Sequence, residues 1–208
     1  MGPVKIAVLS GPNIAREIAQ KMPAAASVAC DKNDVSKKVR DIFSTQNFTL
    51  FESSDMLGVQ LGGSLKNVIA ICAGIVEGMG LGSNTRALLF ARGIAEMARL
   101  GEAMGAKRET FMGLSGLGDL ATTCLSPHSR NRTLGHEIGK GKKLKDLLKK
   151  SEMVVEGVET AKAAHELAKK HRVTMPISEA VYKILFKHEK PELAVKALLY
   201  SGLRRELD

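Results

Sequence analysis

Asp55-Met56-Leu57-Gly58-Val59-Gln60-Leu61-Gly62-Gly63-Ser64-Leu65-Lys66-Asn67-Val68-Ile69-Ala70-Ile71-Cys72-Ala73-Gly74-Ile75-Val76-Glu77-Gly78-Met79 reads as a single long helix, apolar on most of its circumference. A helix that is hydrophobic all round belongs at the centre of a fold. Its longest apolar run, Val68 to Val76, is about half of the ~20 residues a membrane span requires, so a core helix is expected and no membrane-crossing segment. From Ser53 to the C-terminus, helical patterns alternate with Gly-, Pro- or Ser-rich breaks. Helices are predicted over 85–104, 117–124, 130–139, 144–150, 157–170, 178–186 and 191–200. Ser83 or Asn84 is expected to cap the first of these, with Arg92, Glu96 and Arg99 on its exposed face.

Before residue 53 the period changes. Lys5 to Leu9 is a short apolar run, Ile14 to Lys21 is helical with Pro12 as its expected start, and Ala24 to Ala29 is weakly strand-like. A charged helical pattern from Asp34 to Phe43 and a strand from Asn47 to Phe51 complete a β-α-β-α-β order. The expected fold is therefore mainly α: residues 1–52 form a short α/β segment and residues 53–208 an all-α domain. Three strands are few for an independent parallel sheet, so the first segment reads as the tail of a larger α/β domain.

The 208 residues are 44% hydrophobic and 25% charged, which excludes disorder and collagen-like repeats. The net charge of +9 favours anionic partners. Its lysine run, Lys140-Gly141-Lys142-Lys143-Leu144-Lys145, has no interleaved aromatic residue on which bases could stack, so a solvated face is expected and no nucleic acid. Three separated cysteines without a C-x-x-C argue against disulfides and zinc and fit a reducing, cytoplasmic setting. The five histidines show no metal-ligand spacing, and no metal is expected.

Four stretches could carry chemistry. Lys66 is the only lysine in the apolar helix, and Gly62, Gly63 and Ala70 leave the helix face around it nearly bare. Desolvation there disfavours the ammonium and suits a general base, with Asn67 beside it; the bland alternative is a lysine that snorkels or pairs with a carboxylate. In Gly116-Leu117-Gly118-Asp119-Leu120-Ala121-Thr122-Thr123, a helix starting at Asp119 puts a carboxylate and two hydroxyls on one side, fit to orient a polyol. The competing reading makes Asp119 an N-cap. The formal G-x-G-x-x-A match in that stretch follows no strand, so it is not a dinucleotide fingerprint. Ser129-Arg130-Asn131-Arg132 opens a helix with a hydroxyl, two guanidiniums and an amide, a phosphate-binding combination. Ser10-Gly11-Pro12-Asn13-Ile14-Ala15 lies where a strand feeds a helix, the edge at which open α/β sheets bind ligands.

Taken in order, Leu9–Ala15, Gly63–Ala70, Gly116–Leu120, Ser129–Arg132, Val154–Val158 and Met175–Ile177 resemble the NAD(P)-dependent glycerol-3-phosphate dehydrogenases, over nearly the whole chain. The resemblance implies the end of a Rossmann-type domain followed by an all-helical, 6-phosphogluconate-dehydrogenase-like C-terminal domain. It implies interconversion of sn-glycerol 3-phosphate and dihydroxyacetone phosphate with NAD or NADP. Lys66 would then be the catalytic base. Gly11, Asn13, Lys66, Asn67, Asp119, Thr123, Ser129, Arg130 and Asn131 would bind substrate, and Ala15, Arg130, Val154 and Glu156 cofactor. Asn13 stands where bacterial members often carry Ser or Thr. The family's opening strand, G-x-G-x-x-G/A turn and crossover helix are absent from these 208 residues, so the chain is expected to supply the substrate half and to turn over poorly alone. Two other readings stay open: a non-catalytic helical module that binds a phosphometabolite or dimerises, and a related 3-hydroxyacid dehydrogenase. The apolarity of Asp55 to Met104 would allow a homodimer.

Overall fold

A computed structural model describes residues 4–150 and 154–200. Strands β1 (Val8–Ser10), β2 (Ala24–Ala29) and β3 (Phe48–Ser53) form one sheet in that order. β2 and β3 are parallel, Ala24 opposite Phe48 and Ala29 opposite Ser53, with helix α2 (Asn33–Phe43) as the crossover. β1 runs antiparallel to β2, with Val8 opposite Ala29 and Ser10 opposite Ser27, although the strand-helix alternation suggests parallel pairing throughout. The intervening helix α1 (Ala15–Ala19) has five residues and rises only about 8 Å. That is too little to return the chain along the roughly 20 Å of β2. α1 also starts later than Pro12: Gly11 is pressed onto the Ala25–Ala26 backbone, the chain bends at Gly11–Pro12, and Ile14 is extended at the N-cap (φ −90°, ψ 111°).

The remaining elements are α3 (Met56–Gly78), α4 (Ser83–Ala103), α5 (Arg108–Met112), a π-helical turn (Leu114–Gly118), α6 (Asp119–Leu125), α7 (Arg130–Gly139), α8 (Leu144–Lys150), α9 (Glu156–His171), α10 (Pro176–Phe186) and α11 (Pro191–Tyr200). α5 has no counterpart in the sequence reading, and the helix expected over 117–124 is split between the end of the π-helical turn and α6. α3 is the axis. Its mean hydropathy of 1.5 over 18 residues and its length would let it cross a membrane, yet it is a core helix, enclosed by α4, α6, α7 and α9. The apolarity that suggested a second copy is thus largely covered within the chain.

Two contacts set the geometry around this axis. Asp55 caps α3 by accepting from Gly58 N–H (2.9 Å), and ties it to the α4–α5 connection through Lys107 N–H (2.8 Å) and to α5 through the Thr110 hydroxyl (2.6 Å). Burial raises the Asp55 pKa, but these donors and the Lys107 charge outweigh it and hold the carboxyl below its usual value. The second contact is glycine-mediated. Gly74 and Gly78 on α3 face the backbone of Arg132 and His136, while Gly135 and Gly139 on α7 face the backbone of Ile71 and Ile75. Any side chain at these four positions would strike a carbonyl group, so the two helices cross at close range.

Glu96 is the largest departure from the pattern read on α4. It is fully buried instead of exposed, and its carboxylate accepts from Ile177 N–H (2.8 Å), Ser178 N–H (2.8 Å) and the Ser178 hydroxyl (2.6 Å). A carboxylate on one helix therefore caps the N-terminus of another, α10. The expected caps on α4 itself are not formed: Gly82 takes the N-cap position, and Ser83 accepts instead from Arg86 (3.1 Å).

Candidate functional site

Gly62 and Gly63 interrupt α3 because protein packs there. Gly62 abuts the Ser115 backbone in the π-helical turn, and Gly63 abuts the Ser10 side chain on β1. The face around Lys66 is therefore partly covered by neighbouring segments, and these segments bring its partners. The π-helical turn widens the chain just before α6 and delivers Asp119 against Lys66, a placement typical of such turns at functional sites. Asp119 makes no N-cap bond. Its carboxylate pairs with Lys66 Nζ and also accepts from Ser10 Oγ (3.1 Å) and Thr123 Oγ1 (3.4 Å). The Asp119 side chain is 3% exposed and that of Lys66 19%, so the pair is largely shielded from solvent. Burial pushes the Asp119 carboxyl above the usual carboxylate range, against the opposing pull of the Lys66 charge and the hydrogen bonds from Lys66, Ser10 and Thr123.

The close crossing of α3 and α7 fixes the other half of the site. Asn131, in the first turn of α7, donates to Asn67 Oδ1 (2.9 Å) and accepts from Gly157 N–H (2.9 Å) at the start of α9, so one buried amide joins three helices. Asn67 in turn donates to Glu156 (3.5 Å). Ser129 caps α7 by accepting from Arg132 N–H (3.2 Å). Arg130 donates to the Val154 carbonyl (2.9 Å) and lies 3.8 Å from Glu156. Arg132 points elsewhere, bound to Glu77 on α3 (2.6 Å), which removes it from the expected phosphate group.

A cleft of about 490 Å³ brings these parts together. Lys66, Asn67, Asp119 and Thr123 form one wall, Ser129, Arg130 and Asn131 a second, and Asn13, Ala15 and Glu156 the rim. A second cleft of about 430 Å³ adjoins it, sharing Asn13, Lys66 and Asp119 and adding Gly11, Gln60 and Ser64. Gly11 therefore lies only on the second side, and Val154 lines neither, contributing its carbonyl to Arg130. The sequence reading missed Arg16, a further cation at the rim, and the hydrogen bond of Ser10. Arg16 directly follows the Leu9–Ala15 stretch and could have been added as the next residue of that turn; no local signal pointed Ser10 at a residue 109 positions away.

The arrangement is an amine paired to a buried carboxylate, in one cleft with a helix N-terminus and a guanidinium. Such a site binds an anion at one end and moves a proton at the other. The model of the NAD-dependent glycerol-3-phosphate dehydrogenase C-terminus matches residues 55–196, and that of the N-terminus residues 1–36.

The chain belongs to this glycerol-3-phosphate dehydrogenase family. The glycerol-3-phosphate dehydrogenase [NAD(P)+] of Syntrophotalea carbinolica is 50% identical over 204 residues, covering 98% of this chain and 61% of the relative. The same-named protein of Bacillus licheniformis is also 50% identical, with 98% and 59% covered. The crystal structure of glycerol-3-phosphate dehydrogenase from Coxiella burnetii superposes with a TM-score of 0.92 at 42% identity, over 96% of this chain and 61% of that one. The chain thus spans about three fifths of the length of these family members.

Proposed function

We propose that this chain carries the substrate half of an NAD(P)-dependent glycerol-3-phosphate dehydrogenase, with residues 1–52 ending the nucleotide-binding domain and residues 53–208 forming the substrate domain. The observation that carries the reading is the shared cleft of Lys66 and the Ser129–Asn131 helix start. The phosphate of glycerol 3-phosphate would take the α7 N-terminus and the Arg130 guanidinium. Asn67 and Thr123 would orient the glycerol hydroxyls, with Asn13 and Gly11 closing the near side. As an amine, Lys66 would accept the C2 hydroxyl proton, and the Asp119 carboxylate would stabilise the ammonium so formed. In the opposite direction that ammonium would return the proton to the ketone oxygen of dihydroxyacetone phosphate.

The exposed residues at the rim fit part of a dinucleotide. Arg16 and Arg130 offer guanidiniums to diphosphate oxygens, and Glu156 offers a carboxylate to hydroxyl or amide groups, with Ala15 and Val154 beside them. Among the described residues no G-x-G-x-x-G turn follows a strand, so these groups hold one end of NAD or NADP only. When bound, the nicotinamide supplies the hydride acceptor or donor.

Calorimetric titration with glycerol 3-phosphate and dihydroxyacetone phosphate, with and without NADH, tests the reading. Saturable binding of both, tightened by NADH, is expected. A folded chain that binds neither would overturn it. Binding indifferent to NADH would favour a non-catalytic phosphometabolite module, and preference for an unphosphorylated 3-hydroxy acid would favour the hydroxyacid dehydrogenases.

A further inference from the structure

Asp119 is held from three directions. Lys66 on α3 is the charged group facing it, Thr123 on its own helix reaches the same oxygen as Lys66, and Ser10 on β1 reaches the other oxygen. Among the described residues, Ser10 is also the one residue of the α/β segment hydrogen-bonded to this pair, across 109 positions of sequence. Its own place is fixed twice. The backbone of Ser10 is in register with Ser27 in the antiparallel ladder, and its side chain rests in the notch that Gly63 leaves in α3. A residue larger than glycine at position 63 would occupy the space of the Ser10 hydroxyl.

We propose that Ser10 is a positioning residue for the Lys66–Asp119 pair: it anchors one carboxylate oxygen to the sheet so that the other stays turned to the lysine. The role rests on the proposed function, in which that pair moves the substrate proton. Through Ser10 the strand edge of the α/β segment and the proton-moving pair of the helical domain become one unit. A shift of β1 relative to α3 then alters the charge state of the pair without any displacement of Lys66 itself. Burial already favours the neutral carboxyl, so each donor that Asp119 keeps holds back its protonation.

The test is a pH titration of the Asp119 side-chain carboxyl by ¹³C NMR in the whole chain, assigned through the signal lost in Asp119→Asn. Ser10→Ala is expected to raise the Asp119 midpoint by about one pH unit, the size of one lost hydrogen bond to a charged group, and Ser10→Thr to restore it. A merely structural serine would lower the melting temperature and leave the midpoint alone. Should Ser10→Ala not fold, Gly63→Ala, whose methyl displaces the hydroxyl, carries the same expectation. An unmoved midpoint in a folded variant, or no restoration by threonine, overturns the proposal. The readout needs neither substrate nor cofactor, so a chain that shows these shifts but binds no glycerol 3-phosphate would sink the proposed function and leave the Ser10 linkage standing.

Discussion

The α/β segment and the helical domain bury their apolar side chains to very different degrees. In the segment, the clustered core amounts to Ala26, Val28 and Leu50 with Ala7, Val39 and Phe48 against it, while Leu9, Met22, Ile42, Phe43 and Phe51 stay exposed. In the helical domain a single cluster runs through α3 and takes in Phe111, Leu89, Met97, Ile177 and Val181, all fully or nearly fully buried. The helical part holds the larger apolar core, and the segment packs on it at Ser10, Gly63 and the Asp119 carboxylate. The candidate site follows that division: the groups proposed to grip phosphate and move the proton sit on the well-packed helices, and the segment contributes part of the lining and the Ser10 hydroxyl.

This contrast can be broken by mutation. Phe111→Ala empties a fully buried ring site and should cost about 3–5 kcal/mol in urea unfolding, whereas Phe51→Ala on the open sheet face should stay within about 0.5 kcal/mol. Equal effects would mean that the two regions share one core. Gly135→Ala drives a methyl into the Ile71 carbonyl and should cost about 1–3 kcal/mol. It should also weaken glycerol 3-phosphate binding in the calorimeter, because the α3–α7 crossing sets the Asn67–Asn131 bond.

A smaller effect is expected at Glu96, whose pKa burial raises despite its three hydrogen bonds and the Arg99 charge. A carboxyl with a raised folded pKa lends stability below its unfolded value and loses it as pH climbs through the folded one. The stability of the wild type relative to Glu96→Gln should accordingly fall as pH rises above about 4.5, measured by thermal melts across that range. A parallel pH dependence in both proteins would contradict this. The smallest effect on folding is expected at Arg130, whose exposed contact with Glu156 contributes little: Arg130→Ala should unfold within about 0.5 kcal/mol of wild type. The same variant should lose roughly tenfold or more in affinity for the phosphate ester, as removal of a charge-assisted donor implies.

Periodic features were legible in the sequence and long-range ones were not. α3, α7 and α10 follow from the spacing of their apolar residues, and Lys66 stands out as the lone cation in an apolar helix. Its partner did not follow from spacing, because Asp119 lies 53 positions on and local logic favoured a cap. Glu96 looked like part of a surface ladder because helical spacing to Arg92 and Arg99 says nothing about the α10 terminus packed on it. The antiparallel β1 depended on how short α1 proved to be. Gly74, Gly78, Gly135 and Gly139 are spaced four apart on two helices, a readable sign of close approach whose partner helix the sequence does not name. The order of the short motifs, more than any one of them, pointed to the family.

A crystal structure of the chain soaked with glycerol 3-phosphate tests the central claim most directly. The account predicts the phosphate at the α7 N-terminus, bonded to the Arg130 guanidinium, with the C2 hydroxyl oxygen about 3 Å from Lys66 Nζ. Density for the phosphate in the neighbouring cleft beside Gln60 and Ser64, or a C2 hydroxyl beyond the reach of Lys66, would contradict it.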